Sequence, residues 1–223
     1  MPMPRAHPEN YAPPAAHRVI LDGVAISRGE QALVRGISFT LAPSDLIWVC
    51  GDNGIGKSTL LRLMAGFSQV DHGSVHWQAS GVNVEPRSII AYQGHLDAFK
   101  STLTAREALG FWAEVYENTA PLAPILNHVG LEVKADVPCG KLSAGQKRRL
   151  SLARLLISGK PIWLMDEPTA AMDKDGAALI EACITEHIAA GGSAVIATHD
   201  ATQRLSPNAR RLTLRRTNTE AAP

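Results

Sequence analysis

The sequence predicts an α/β protein with a mostly parallel sheet, and three observations carry that expectation. Short apolar runs suited to buried strands recur at Leu46–Cys50 (LIWVC), 162–165 (IWLM) and 193–198 (SAVIAT). Runs with helical spacing follow the first two, at 59–65 and 176–190. Strands that alternate with helices pair in parallel, because each helix carries the chain back across the sheet. The third observation is the stretch GDNGIGKST, residues 51–59, which joins the first of these strands directly to a helix. So many glycines in one short connection mark a backbone that must bend sharply or approach something closely.

Taken in order, the elements are these. RVILDGVAIS (18–27) and ALVRGISFTL (32–41) flank the polar turn SRGEQ and predict an antiparallel β pair at the N-terminal end. The strand at 46–50 and the helix at 59–65 follow, with Gly66 as a natural stop. DHGSVHW (71–77) reads as a turn, and SIIAY (88–92) as another strand. From about 104 to 130 the pattern changes, since REALGFWAEVY and LAPILNHVG have helical spacing and little β character. An inserted α-helical subdomain is expected over about 93–160, before the β signal returns at 162. The whole of 17–215 reads as one domain. Proline and alanine in MPMPRAHPENYAPPAA predict a flexible tail over 1–16, and 216–223 read as a disordered C-terminal end.

Composition excludes several functions. The chain has 223 residues and a formal net charge of +1, with no basic stripe, so nucleic acid is not an expected partner. No apolar run approaches the roughly 18 residues that span a bilayer. Cys50, Cys139 and Cys183 are too far apart in sequence for a zinc or disulfide framework and read as reduced thiols of a cytoplasmic protein, with Cys50 a small core residue on a strand. No pair of cysteines precedes a histidine in the c-type haem attachment pattern, so no covalent haem is expected.

The chemistry begins in the glycine-rich stretch. Gly51, followed after four residues by Gly56-Lys57-Ser58, has the spacing of a phosphate-binding loop. Backbone N–H groups that converge on one anion leave little room for Cβ atoms, which accounts for Gly51, Gly54 and Gly56. Asp52, Asn53, Ile55 and Thr59 complete the loop. Lys57 is placed to reach the β- and γ-phosphates, and the Ser58 hydroxyl to ligate Mg²⁺. A second anchor lies where the strand at 162–165 runs into Asp166 and Glu167. A carboxylate at the edge of a buried strand suits metal binding, the role expected of Asp166. Glu167 is the expected general base, or water-orienting residue, for attack on the γ-phosphate.

The third anchor is Leu142-Ser143-Ala144-Gly145-Gln146, followed by KRRLSLARLL. A Ser-capped helix start, with Lys147, Arg148 and Arg149 on a solvated face, accounts for the local pattern. Beside a phosphate loop, however, this stretch resembles the signature of the ATP-binding cassette family, and the resemblance spans about 17–215. It implies a P-loop NTPase fold of the RecA-like kind that uses ATP and Mg²⁺. It further implies a head-to-tail dimer holding two ATP molecules, in which Ser143, Ala144, Gly145 and Gln146 of one copy meet the γ-phosphate held by the other. A helix N-terminus with small donors is suited to such an anion. His199, closing SAVIATHD, stands at the family's switch-histidine position. Asp173 in TAAMD is similar to its D-loop aspartate, although Ala170 replaces the small hydroxyl residue often found there.

Two features stay open. Gln93 in AYQGH is the obvious glutamine for the family's Q-loop, whereas spacing back from Leu103-Thr104 favours His95. Ser27-Arg28 stand where many cassettes carry an adenine-stacking aromatic. Finer details, namely SRGEQALVRGISFTL, the tryptophan of GSVHW, the GH of AYQGH and LSAGQKRRLSLARLL, together resemble the ATP-binding subunits of haem exporters in bacterial cytochrome c maturation. Leu96, Thr169 and Ser58 depart from that pattern. The resemblance implies integral membrane permease subunits of that system as partners and a peripheral position at the cytoplasmic face of the bacterial inner membrane. A generic transporter ATPase is the alternative. A soluble kinase, or a cassette factor acting on ribosomes or DNA, is more remote, since a kinase has no use for LSAGQ.

Overall fold

The computed structural model describes residues 16–28, 31–95, 99–199 and 209–216. The expected tail and C-terminal end therefore lie almost wholly outside the described residues. Strands β1 (His17–Arg28) and β2 (Gln31–Leu41) pair antiparallel, with Val19 opposite Leu41 and Leu21 opposite Phe39. The fully buried β3 (Leu46–Cys50) leads through the glycine-rich stretch into α1 (Lys57–Met64). Next come β4 (Ser74–Ala79), β5 (Val82–Asn83), the short helix α2 (Pro86–Ile89) and β6 (Ile90–Gln93). A helical run then holds α3 (Ala105–Val115), α4 (Leu122–His128), two 3₁₀ turns and α5 (Ala144–Ser158). The chain continues through β7 (Ile162–Asp166), α6 (Lys174–Ala189), β8 (Ser193–Ala197) and β9 (Arg210–Thr213).

These strands form two sheets. One is antiparallel in the order β2-β1-β4-β5, and the other is parallel in the order β6-β7-β8-β3-β9. Parallel strands are covered on both faces, which is why β3, β7 and β8 are buried throughout and mostly apolar. Alternate residues point to opposite sides. Trp48, Trp163, Met165 and Ile196 join the cluster filled by α3, α4, α5 and α6, whereas Val49, Leu164 and Val195 join α1 and the inner face of the antiparallel sheet. All three cysteines are buried and unbridged, and burial pushes the Cys183 thiol up to about 12, as expected of thiols that pack rather than react.

Two strand starts differ from the sequence expectation, and β5 and β9 are additional to it. Only Asp71–Gly73 bend; Ser74–Trp77, read as part of a turn, belong to β4, whose pairing with β1 sets Val75 inward against Leu21 and His76 outward. Ser88 and Ile89, read as strand, lie in α2, which Pro86 opens, and the strand starts at Ile90. Pro at a first helical position costs no hydrogen bond and presets φ.

Trp77 ties the two sheets together, since its indole N–H donates to the Met64 carbonyl at the end of α1 at 2.7 Å. Met64 is fully buried, so its carbonyl would have no water to replace that donor. Trp77→Phe should therefore cost about 1–3 kcal/mol, read as a lower urea midpoint; an unchanged midpoint would show that this contact stabilises nothing.

Candidate functional site

The glycine-rich loop is shaped by its glycines at three positive-φ positions: Gly51 at 143°, Gly54 at 76° and Gly56 at 110°. At Gly56 a Cβ would also lie 2.7 Å from Ile26 Cγ2, and at Gly51 2.8 Å from the Leu214 carbonyl oxygen. The loop is thus pressed between β1 and the segment that follows β9. Ile55 is buried and anchors the loop to the core, while its N–H donates to the Asp52 carbonyl at 3.2 Å. No side chain caps α1, so its first N–H groups face outward unclaimed by a cap. Lys57 folds back across the loop, and its ammonium donates to the carbonyls of Gly51 at 2.7 Å and Asp52 at 3.2 Å.

These groups border a cavity of about 580 Å³ lined by Asn53, Gly54, Gly56, Lys57, Ser58 and Thr59 on one side. His95, Asp166, Glu167, Ala170 and His199 line it on the other, and Ser27 and Leu33 contribute from the antiparallel sheet. Gly51, Asp52 and Ile55 do not line it. Asp166 is 3% exposed, at the C-terminal end of β7. Its neighbour Glu167 adopts a left-handed φ of 48°, a conformation costing on the order of 1–3 kcal/mol for a residue with a Cβ. Two contacts reach it from the end of β8. The Glu167 N–H donates to the Ala197 carbonyl at 2.9 Å, and its carboxylate Oε2 lies 3.0 Å from Nδ1 of His199.

Gln93 and His95 part company. Gln93 is 1% exposed at the end of β6, does not line the cavity, and among the described residues neither of its side-chain polar atoms has a hydrogen-bond partner. His95, two residues on, is exposed and lines the cavity.

Ser143, Ala144, Gly145, Gln146 and Asp173 line a different cavity, of about 620 Å³, together with Gly130, Arg149, Ala171 and Met172. It shares no residue with the first. The Ser143 hydroxyl caps α5 by accepting from the Gln146 N–H at 3.2 Å, and the Gln146 side chain returns the bond to the Ser143 N–H at 2.9 Å. This reciprocal box leaves the Ser143 hydroxyl proton free to point outward. Asp173 caps α6 through the Gly176 N–H at 2.8 Å and lies 3.6 Å from Arg149. Lys147 and Arg149 are half-buried, but Arg148 is 3% exposed and its guanidinium donates to the carbonyls of Gly94, Asp166, Glu167 and Pro168. It is no part of a solvated face. Sequence patterning gave no sign of this, because three consecutive basic residues look alike until the partner carbonyls are placed.

Loop, edge carboxylates and parallel sheet define a P-loop nucleotide-binding protein. The family model described as ABC transporter matches residues 34–170. The cytochrome c biogenesis ATP-binding export protein CcmA of Ruegeria pomeroyi is 44% identical over 176 residues, which cover 79% of this chain and 82% of that one. Its counterpart in Yersinia pseudotuberculosis is 36% identical over 195 residues, covering 85% and 89%. Among solved structures, a putative ABC transporter ATP-binding protein from Pyrococcus furiosus superposes with a TM-score of 0.76 at 20% identity, over 90% of this chain and all of that one. An ATP-binding cassette dimer in a post-hydrolysis state bound to ADP and Pi has the same fold, with a TM-score of 0.74 at 22% identity over 88% and 94%. The chain belongs to the ABC transporter family and groups within it with the CcmA proteins.

The two Q-loop candidates separate by experiment. Gln93→Leu removes an unsatisfied buried amide while conserving volume, so it should leave turnover within about twofold and not lower stability, whereas His95→Ala should slow ATP turnover by about tenfold or more. The opposite pattern in steady-state ATPase assays would place the role at Gln93.

Proposed function

We propose that this chain is the ATP-hydrolysing subunit of the membrane complex that handles haem export, or release of haem-loaded chaperone, during cytochrome c maturation. The observation that carries the ATPase reading is the pair of cavities. One holds a phosphate loop and edge carboxylates, the other a capped helix N-terminus with small donors, and the two share no lining residue. Two copies arranged head to tail complete two sites, each with the loop of one copy and the Ser143–Gln146 turn of the other. The CcmA relatives, matched over about four-fifths of their length, support the assignment to cytochrome c biogenesis.

In this reading Gly54, Gly56 and the N-terminal N–H groups of α1 bind the β-phosphate. Lys57 leaves its loop carbonyls for the β- and γ-phosphate oxygens, neutralising charge as the bond to the leaving group stretches. Ser58 and Asp166 fit Mg²⁺: a hydroxyl and a nearly buried carboxylate face one cavity, and among the described residues no cationic side chain is paired with that carboxylate. Held by those two side chains, Mg²⁺ would supply neutralisation of the phosphate charge. Glu167 accepts the proton of the attacking water. His199, on the Glu167 carboxylate, orients it and the γ-phosphate oxygens. His95 senses the same phosphate from the loop after β6. Asp173 and Arg149 belong to the surface offered to the partner copy.

No helix among the described residues is long and apolar enough to cross a membrane, so the work is delivered through partners. The surface proposed for them is a groove of about 530 Å³ between α3 and the edge of the parallel sheet, lined by Phe67, Tyr92, Trp112, Val115, Tyr116 and Lys160 among others. Phe67 and Val115 are 62% and 52% exposed, an apolar face suited to a cytoplasmic segment of an integral subunit. Burial lowers the Lys160 ammonium and raises the Tyr116 and Tyr92 hydroxyls from their ordinary ranges, so this groove is already partly desolvated. It opens beside Gly94 and so adjoins the loop that carries His95. The complex would sit at the cytoplasmic face of the bacterial inner membrane.

Glu167→Gln keeps shape but cannot take the proton, so nucleotide should bind without cleavage and hold two copies together; light scattering with Mg-ATP that showed only monomer, with and without membrane partners, would overturn the shared-site reading. In cells lacking the protein and complemented with Glu167→Gln, c-type cytochromes should be lost and b-type cytochromes persist. Normal c-type cytochromes would remove the haem assignment and leave the ATPase standing.

A further inference from the structure

Arg148 sits on the second turn of α5, immediately after the turn that displays Ser143–Gln146. It is nearly inaccessible, at 3% exposure, while its basic neighbours on either side are half-buried. Its guanidinium reaches two separate segments that carry lining residues of the first cavity. Nη1 donates to the Gly94 carbonyl at 3.0 Å, one residue before His95. Nε donates to the Pro168 carbonyl at 3.1 Å, and Nη2 to the carbonyls of Asp166 and Glu167. Four carbonyls from the β6 and β7 edges are therefore gathered on one planar fork. Only arginine presents donors in that fixed geometry; lysine offers a point charge and glutamine two amide hydrogens.

What is gripped decides what the grip does. The carbonyls of Asp166 and Glu167 flank the backbone bend whose left-handed φ turns the Glu167 carboxylate toward His199. Gly94 starts the loop that places His95. The same rigid helix ends, one turn earlier, in the capped turn lining the second cavity. A shift of that turn is carried by α5 to Arg148, and from there to both walls of the chain's own first cavity.

We propose that Arg148 is a positioning residue for ATP hydrolysis that couples the half-site this chain lends to its partner with the half-site it keeps. The proposal rests on the ATPase reading above and deepens it: engagement of ATP by the Ser143–Gln146 turn of one copy sets Glu167 and His95 of that same copy in place. Arg148 touches no phosphate. It acts on backbone carbonyls, so its loss should affect turnover and spare nucleotide affinity.

The test uses the ATPase purified with its membrane partners, titrated with Mg-ATP, with turnover expressed per nucleotide-binding site. Arg148→Gln and Arg148→Met should lower kcat per site by about 10- to 100-fold, the penalty for misplaced catalytic groups, while KM stays within a factor of about three of wild type. Arg148→Lys should fall between them and wild type. In a Glu167→Gln background, Arg148→Gln should still form the ATP-trapped dimer, because loop and signature donors are untouched. A merely structural arginine would instead reduce the number of binding sites and the melting temperature with kcat per site unchanged, and that result overturns the proposal. So does a loss of affinity equal to the loss of turnover, or failure of the lysine variant to fold. Wild-type turnover no greater than that of Lys57→Ala would overturn the ATPase reading itself, an outcome visible before any Arg148 variant is compared.

Discussion

Everything in this molecule is arranged around the tight passage from β3 to α1. Two of its glycines are pressed by neighbours from different parts of the chain: Ile26 of β1 against Gly56, and the Leu214 carbonyl after β9 against Gly51. A methyl group at either point would force apart the antiparallel sheet or the last segment of the chain. The loop is therefore a keystone between both sheets as well as the proposed place for phosphates, and its shape is inseparable from their packing. Trp77, reaching from β4 to the far end of α1, braces the same helix at its other terminus.

Burial of charge at the C-terminal edge of the parallel sheet follows from that arrangement. Asp166, Lys57 and Arg148 are each less than a tenth exposed, and each is answered differently. Lys57 is held by carbonyls of its own loop, Arg148 by carbonyls of four residues, and Asp166 faces the cavity. Ionic groups so far from water remain charged only where dipoles or counter-charges replace hydration. The two cations find backbone dipoles; the carboxylate has the cavity, where a divalent ion suits it.

Fold class was legible because buried parallel strands write themselves as unbroken apolar runs, and the expected bounds of β3 coincide with those observed. Less legible were elements whose identity comes from a neighbour. Ser74–Ala79 has one fully committed apolar residue, Val75, and becomes a strand through its pairing with β1. Arg210–Thr213 is polar and exposed, an edge strand that hydrophobic patterning passes over. The site shows the same division. Gly51–Thr59 and Asp166-Glu167 stand out as candidates by spacing, and the Ser143–Gln146 turn by resemblance, because each pattern is local. Gln93 and His95 differ by two positions at a strand end, and only the position of that end puts one in the core and the other at the cavity. Arg148 depends on carbonyls 54 and 18 to 20 residues away, a relation no local pattern records.

The two cavities share no residue, and that separation has a kinetic meaning in the proposed assembly. In a two-fold pair the interface is isologous: the loop patch of each copy meets the Ser143–Gln146 patch of the other, so neither copy is complete alone. Catalytic competence becomes a property of encounter. For free chains it would fall with dilution, whereas chains held in the apolar groove by an integral partner would meet at an effective concentration set by the spacing of their tethers. A membrane partner would then govern ATP consumption without touching the nucleotide, simply by holding two incomplete halves within reach of each other.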